Sequence, residues 1–240
     1  MKVTLIDSSH DNIDKMYIAL SQCYNEHFDQ DSCERVSQEM KENVILKILK
    51  SGHDSVSEHI TFTFLIEDVS RVLTHQLVRH RIASYSQRSA RYTKVNTETC
   101  WYVVPDGIKT PEQLEIYKEI MDQEAQAYEK LIAHGVKKED ARYILGDAQK
   151  TNIVVTMNCR SLKNFFGERL CTRAQKEIRE LATEMSGIMK EKFPVVFRKA
   201  KFGDPKCIQD GFCREAKSCG KIPHISQFVV IEKIQYEGES

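Results

Sequence analysis

An α+β fold, rich in helix and carrying a small mixed or antiparallel sheet, is what the sequence predicts. Three observations lead there. Apolar residues recur at helical spacing over several segments, strict alternation is confined to one clear stretch, and no regular βαβ succession joins the two. The 240 residues suit one large domain. Neither a repeat nor a low-complexity linker divides them, so 1–240 is read as one unit with a Cys-containing tail over 195–240.

Val36, Met40, Val44 and Ile48 recur every four residues and predict a helix over about 34–50, which Gly52 is placed to end. A polar segment, His53 to His59, follows. Ile60, Phe62, Phe64 and Ile66 then alternate with Thr61, Thr63 and Leu65 as a strand. Ser70 is placed to cap a short helix with Val72, Leu73, Gln76 and Leu77 on one face. That helix delivers Arg79-His80-Arg81 at its C-terminal end. Thr110-Pro111-Glu112-Gln113 combines a cap, a first-turn proline and the Gln of a capping box, and Gly135 stops the helix it starts. A shorter helix is predicted over 137–148, a strand at Ile153–Val155, and helices over 161–170 and 174–189 ahead of Pro194.

Composition narrows the function. Thirty-five basic residues balance 35 acidic ones, which excludes a wholly basic nucleic-acid binder and an acidic disordered chain. No apolar run approaches the ~18 residues of a membrane span. The start reaches Asp7 before a signal-peptide core forms, so the expectation is a soluble cytoplasmic protein with its eight cysteines reduced. No glycine-rich phosphate loop occurs; any phosphate must be held by side chains and helix ends.

The charge distribution says more. From Val69 to Thr97 there is no Asp or Glu, yet the stretch holds Arg71, Arg79, Arg81, Arg88, Arg91 and Lys94. Without those six, 29 basic residues face 35 acidic ones in the rest of the chain. A second segment, Ile153 to Lys176, has Glu168 alone against Arg160, Lys163, Arg169, Arg173 and Lys176. Arginine suits planar, bidentate contact with phosphate. Small hydroxyl residues between 82 and 92 offer hydrogen bonds, and Tyr85 and Tyr92 are placed to flank a ring. Phosphate and a heteroaromatic ring together mean a nucleotide.

Arg79-His80-Arg81, seven residues and then Ser89, followed by Arg91, resembles the R-H-R-x7-S signature of the flavin-dependent thymidylate synthases. The similarity extends upstream through HDSVSEHITFTF, with His53, Glu58 and His59, and downstream through DARYIL and MNCRSLKNFF to Arg169. The resemblance implies a homotetramer with sites shared between subunits. It implies a methyltransferase for dTMP biosynthesis that makes dTMP from dUMP, with FAD as cofactor, methylenetetrahydrofolate as carbon donor and NADPH as reductant. In this reading Arg79, His80, Arg81, Asn158, Arg160 and Asn164 contact FAD, as do Ser55, where the family often has Thr, and His53. Gln76, Arg79, Gln87, Arg88, Ser89, Ala90, Arg91 and Arg142 bind dUMP, with Gln87 also beside the cofactor. Arg169 is the catalytic cation against the uracil ring, where it stabilises developing negative charge. Ser89 is a binding hydroxyl, because no His/Asp arrangement is assigned to activate it.

Gln87 stands where many members have Glu, Arg88 where many are apolar, and Arg173 where some have His. Cys207, Cys213 and Cys219 have five residues between successive members, wider than ordinary zinc pairs, so no metal is expected there; Cys171 or His224 are the candidate fourth partners. The rival reading is a nucleic-acid-binding module that stacks bases on Tyr85 and Tyr92. It is the weaker one, and nucleic acid and membrane are not expected partners.

Overall fold

The structure, a computed structural model, describes residues 1–10 and 12–228. Strand β1 (Lys2–Ser8) opens the chain, followed by helices α1 (Asn12–Tyr24), α2 (Gln30–Glu34) and α3 (Gln38–Lys50). Ser37 starts α3 by accepting the Met40 N–H at 3.3 Å. Gly52 ends it: its φ of +87° lets the His53 N–H reach back to the Ile48 carbonyl at 3.2 Å. A 3₁₀ turn, Ser55–His59, leads into β2 (Thr61–Ser70), and the Ser70 hydroxyl caps α4 (Arg71–Leu77) through the Leu73 N–H at 3.0 Å. Strand β3 (Ala83–Gln87) and a long loop precede α5 (Pro111–Ala133), which starts with the full capping box of Thr110 and Gln113. The chain continues through α6 (Lys138–Ala141), a 3₁₀ turn at Arg142–Ile144, β4 (Lys150–Asn158), α7 (Cys159–Arg169) and α8 (Lys176–Lys192). A π turn at Val195–Lys199 and α9 (Lys206–Asp210) follow.

The sheet has four strands in the order β1-β2-β4-β3, all antiparallel, so the α+β expectation holds. Its inner face carries Phe62, Phe64 and Ile66 of β2 against Ile153, Val155 and Met157 of β4, all buried. Phe165, Phe166, Leu181, Met185 and Phe197 complete that core from the helical side. A second, smaller core joins Ala90, Val95 and Trp101 of the loop after β3 to Met121 and Tyr128 of α5.

Several sequence boundaries are corrected. The helix predicted over about 34–50 starts at Gln38, where Ser37 supplies its cap, and the unpredicted α2 ends before it. On α4 the inward residues are Leu73, Thr74 and Leu77, while Val72 is exposed. The helix predicted over 137–148 stops early: the Gly146 N–H donates to Glu124 at 2.9 Å and not to a helical carbonyl. β4 is nine residues long and central, so its polar alternate positions lie on the opposite sheet face. β1 and α1 were not anticipated. A register shift between Leu5 and Asp7 breaks the alternation that marks a strand.

Candidate active site

The sequence-derived residues fall into three stations. The first is the turn between α4 and β3. The His80 ring sits edge-on to Phe165, 5.1 Å between centroids, and its Nε2 accepts from Arg169 Nε at 3.0 Å. That contact assigns the neutral ring's proton to Nδ1. Burial, and then the Arg169 charge, lower the His80 pKa from 6.5, with Glu168 opposing. His80 is therefore a neutral imidazole near pH 7, held by a guanidinium and not by a carbonyl. The Tyr85 hydroxyl shares its one proton between the carbonyls of Leu77 and His80, both at 2.8 Å. Burial raises its pKa to about 12, which keeps it a donor. Tyr85 is thus a buttress under the turn and no stacking platform, whereas Tyr92 is exposed. Arg79 and Arg81 point outward and make no ion pair among the described residues. Gln76, one turn back, donates only weakly to the Val72 carbonyl at 3.4 Å.

The second station lies at the other end of β3. Arg88 Nη2 donates to the Lys150 carbonyl at 2.7 Å, Arg71 Nε to Gln149 at 3.0 Å, and Arg142 Nε to the Glu139 carbonyl at 3.1 Å. All three guanidiniums rest on neutral acceptors. Their mutual field is felt at Arg71, whose pKa is lowered by burial, then by Arg142 and Arg88, against Asp147. Arg71 was counted among the six charges but not assigned to the site; its place at the acid-free end of α4 was the available signal. Beside the cluster, Arg91 Nε donates to Glu139 at 2.7 Å, and the Ser89 hydroxyl accepts the Arg91 N–H at 3.2 Å. Gln87 points inward, its amide on the hydroxyls of Thr74 and Thr151 at 3.3 Å each. The register explains it, since Gln87 pairs with Ile153 and shares the buried sheet face. Ala90 is buried in the second core, so its side chain anchors the loop.

The third station is where β2 and α7 begin. Asn158 caps α7, its side chain accepting the Ser161 N–H at 2.8 Å. Arg160 pairs with Glu58, and Lys163 with Asp54 at 2.5 Å. Arg160 and Asn164 are four residues apart on the exposed side of α7, and Ser55 and His53 are exposed nearby in sequence, His53 Nδ1 lying 3.0 Å from the Ser51 hydroxyl. Arg173 turns away to Glu215 at 3.0 Å. β3 separates the first station from the second: Ala83 to Gln87 spans about 13 Å at ~3.3 Å per residue.

The arrangement is that of an α+β protein whose arginines gather at both ends of β3, most of them without a carboxylate partner among the described residues. Residues 4–195 match the family described as thymidylate synthase complementing protein. Among curated relatives, flavin-dependent thymidylate synthases from Pyrococcus furiosus and Pyrococcus horikoshii are 44% and 46% identical over 220 residues, 90% of each chain. The one from Geobacter sulfurreducens is 41% identical over 229 residues, 95% of this chain and 97% of its own. The fold is shared with the UMP/dUMP methylase PolB from Streptomyces cacaoi bound with 5-Br dUMP, at a TM-score of 0.71 and 22% identity, covering 83% of this chain and 94% of that one. The chain belongs to the thymidylate synthase complementing protein family, that of the flavin-dependent thymidylate synthases.

Proposed function

We propose that this enzyme makes dTMP from dUMP as a flavin-dependent methyltransferase, with methylenetetrahydrofolate as carbon donor and NADPH as reductant. The observation that carries the site assignment is the pair of unspent arginine groups at opposite ends of β3. The residues fit FAD: Arg79 and Arg81 are free to meet its pyrophosphate, and neutral His80 offers a ring without adding charge. Bound and reduced, the flavin supplies the hydride that completes the methyl group. Arg169 is positioned by His80 through its Nε, which leaves its two terminal nitrogens to stabilise negative charge developing on the pyrimidine. Arg91, Arg88 and Arg142 hold the dUMP phosphate, with Ser89 donating its hydroxyl.

This assignment supports shared sites. Arg79 and Arg91 lie beyond opposite ends of a strand about 13 Å long, so contact of both with one nucleotide calls for two chains, in the homotetramer we propose. We read the whole chain as one catalytic unit working in the cytoplasm. No helix among the described residues is long and apolar enough to cross a membrane. The test is NADPH oxidation by the FAD-loaded protein with and without dUMP, followed by dTMP formation once methylenetetrahydrofolate is added. Protein that retains no flavin and shows no dUMP-dependent oxidation overturns the reading.

A further inference from the structure

Beyond the residues matched to the family, 204–228 fold with almost no core. They hold one five-residue helix, one 3₁₀ turn and an isolated bridge between Cys213 and His224, and Cys213 is their one buried residue. A segment this poor in apolar burial needs another source of order. Cys213 faces a cavity of about 130 Å³ that is also lined by Cys207, Cys219 and Cys171, the last just past the end of α7. All four cysteines are free thiols. The fold thus brings together the regularly spaced trio of the tail and a fourth cysteine 36 residues before it in sequence.

We propose that Cys171, Cys207, Cys213 and Cys219 bind one zinc ion as a structural tetrathiolate site that clamps the C-terminal segment to the end of α7. Of the carboxylates on the cavity wall, Glu168 is 61% exposed and lies 4.0 Å from the neutral His80 ring, while the other two are already engaged. Asp210 lies 3.5 Å from Arg214 and 3.8 Å from Lys206, and Glu215 is paired with Arg173. The thiols have no such partner, and four sulfurs favour zinc over a hard cation. As placed, no three donors among the described residues converge closely enough to hold an ion. Binding therefore closes the thiols inward, which a segment without its own core permits, and so couples metal capture to ordering of the tail.

The test is metal content of the full chain purified with zinc present and then dialysed against metal-free buffer. The expected result is about one zinc per chain, lost in Cys207→Ser and Cys213→Ser and kept in Cys23→Ser, whose thiol lies on α1. Cobalt(II) added to the stripped wild-type protein should give the charge-transfer absorption of thiolate ligation. Zinc should also restore an unfolding temperature lowered by chelation, a readout that stands even where a serine variant fails to fold. No bound zinc and no cobalt-thiolate band overturns the site. So does a disulfide among the four cysteines, or iron with acid-labile sulfide in place of one ion.

Discussion

Arg91 is where the proposed chemistry and the unliganded structure compete, and the competition has a size. A charge-assisted hydrogen bond from Arg91 to the dUMP phosphate contributes about 1.5–3 kcal/mol. Without nucleotide the guanidinium is already paired with Glu139 at 2.7 Å, the two side chains 55% and 35% exposed. An ion pair that open is worth about 0.2–1 kcal/mol. Binding dUMP exchanges one partner for the other, so Arg91→Ala should cost about 0.5–2.8 kcal/mol, or roughly 2- to 110-fold in dUMP affinity. Glu139→Gln should act in the opposite direction. It releases Arg91 and removes a negative charge near the phosphate, tightening dUMP by roughly 1.4- to 5-fold. Calorimetric titration of the FAD-loaded protein with dUMP measures both, and FAD affinity should stay unchanged in both variants. Weaker dUMP binding in Glu139→Gln, or equal losses of FAD and dUMP in Arg91→Ala, refutes the exchange.

Tyr85→Phe leaves the Leu77 and His80 carbonyls without their shared donor. It should cost about 1–2 kcal/mol, seen as a melting temperature lower by ~2–8 °C; an unchanged temperature with unchanged FAD affinity would contradict the buttress. His80 has a folded pKa below its unfolded 6.5, so its contribution to stability is full above pH 6.5 and is lost as pH falls through the lowered value. Denaturant unfolding measured downward from pH 6.5 should show a smaller decline in His80→Gln than in the wild type. Lys163→Met strands the Asp54 carboxylate, whose Oδ1 is buried without a partner, and should cost about 3 kcal/mol or more, which adding Asp54→Asn recovers in part. Arg79→Ala and Arg91→Ala, each assayed at dUMP low enough to leave it impaired alone, should regain partial dTMP formation when refolded together. Verified mixed tetramers without activity would assign each site to one chain.

How much of this was legible depends on what each element asks of its sequence. Helix ends were readable because a cap is local chemistry: Ser70, Thr110 and Gly52 all act within a few residues. β3 was not, because its pattern is Ser84 and Ser86 on the open face and Tyr85 and Gln87 on the inner one. A hydroxyl-rich edge strand carries little apolar signal, and its pairing with β4 is made across more than sixty residues. The site followed the same division. The Arg79-His80-Arg81 turn was visible as a string, but the contact of His80 with Arg169, 89 residues away, was not. The inward turn of Gln87 and the burial of Ala90 are consequences of sheet register and of a second core, and neither is written in the local sequence.

The acid-free stretch shows why charge must be counted in space. Six cations lie between Val69 and Thr97, yet Arg91 finds Glu139 and Lys94 finds Glu129 at 2.7 Å each, both carboxylates coming from the α5–α6 region. The remaining four, Arg71, Arg79, Arg81 and Arg88, meet no carboxylate within ion-pair distance among the described residues, and Arg142 and Arg169 join them from elsewhere. Two of these are steadied on backbone carbonyls, Arg71 on an amide and Arg169 on a neutral imidazole. Such acceptors orient a guanidinium while leaving its charge for an incoming anion. A carboxylate in the same place would orient it as well but cancel the charge. In the proposed site Arg71, Arg88, Arg142 and Arg169 are thus held by dipoles, whereas Arg91 and Arg160 are paired with Glu139 and Glu58, partners that an incoming ligand must displace.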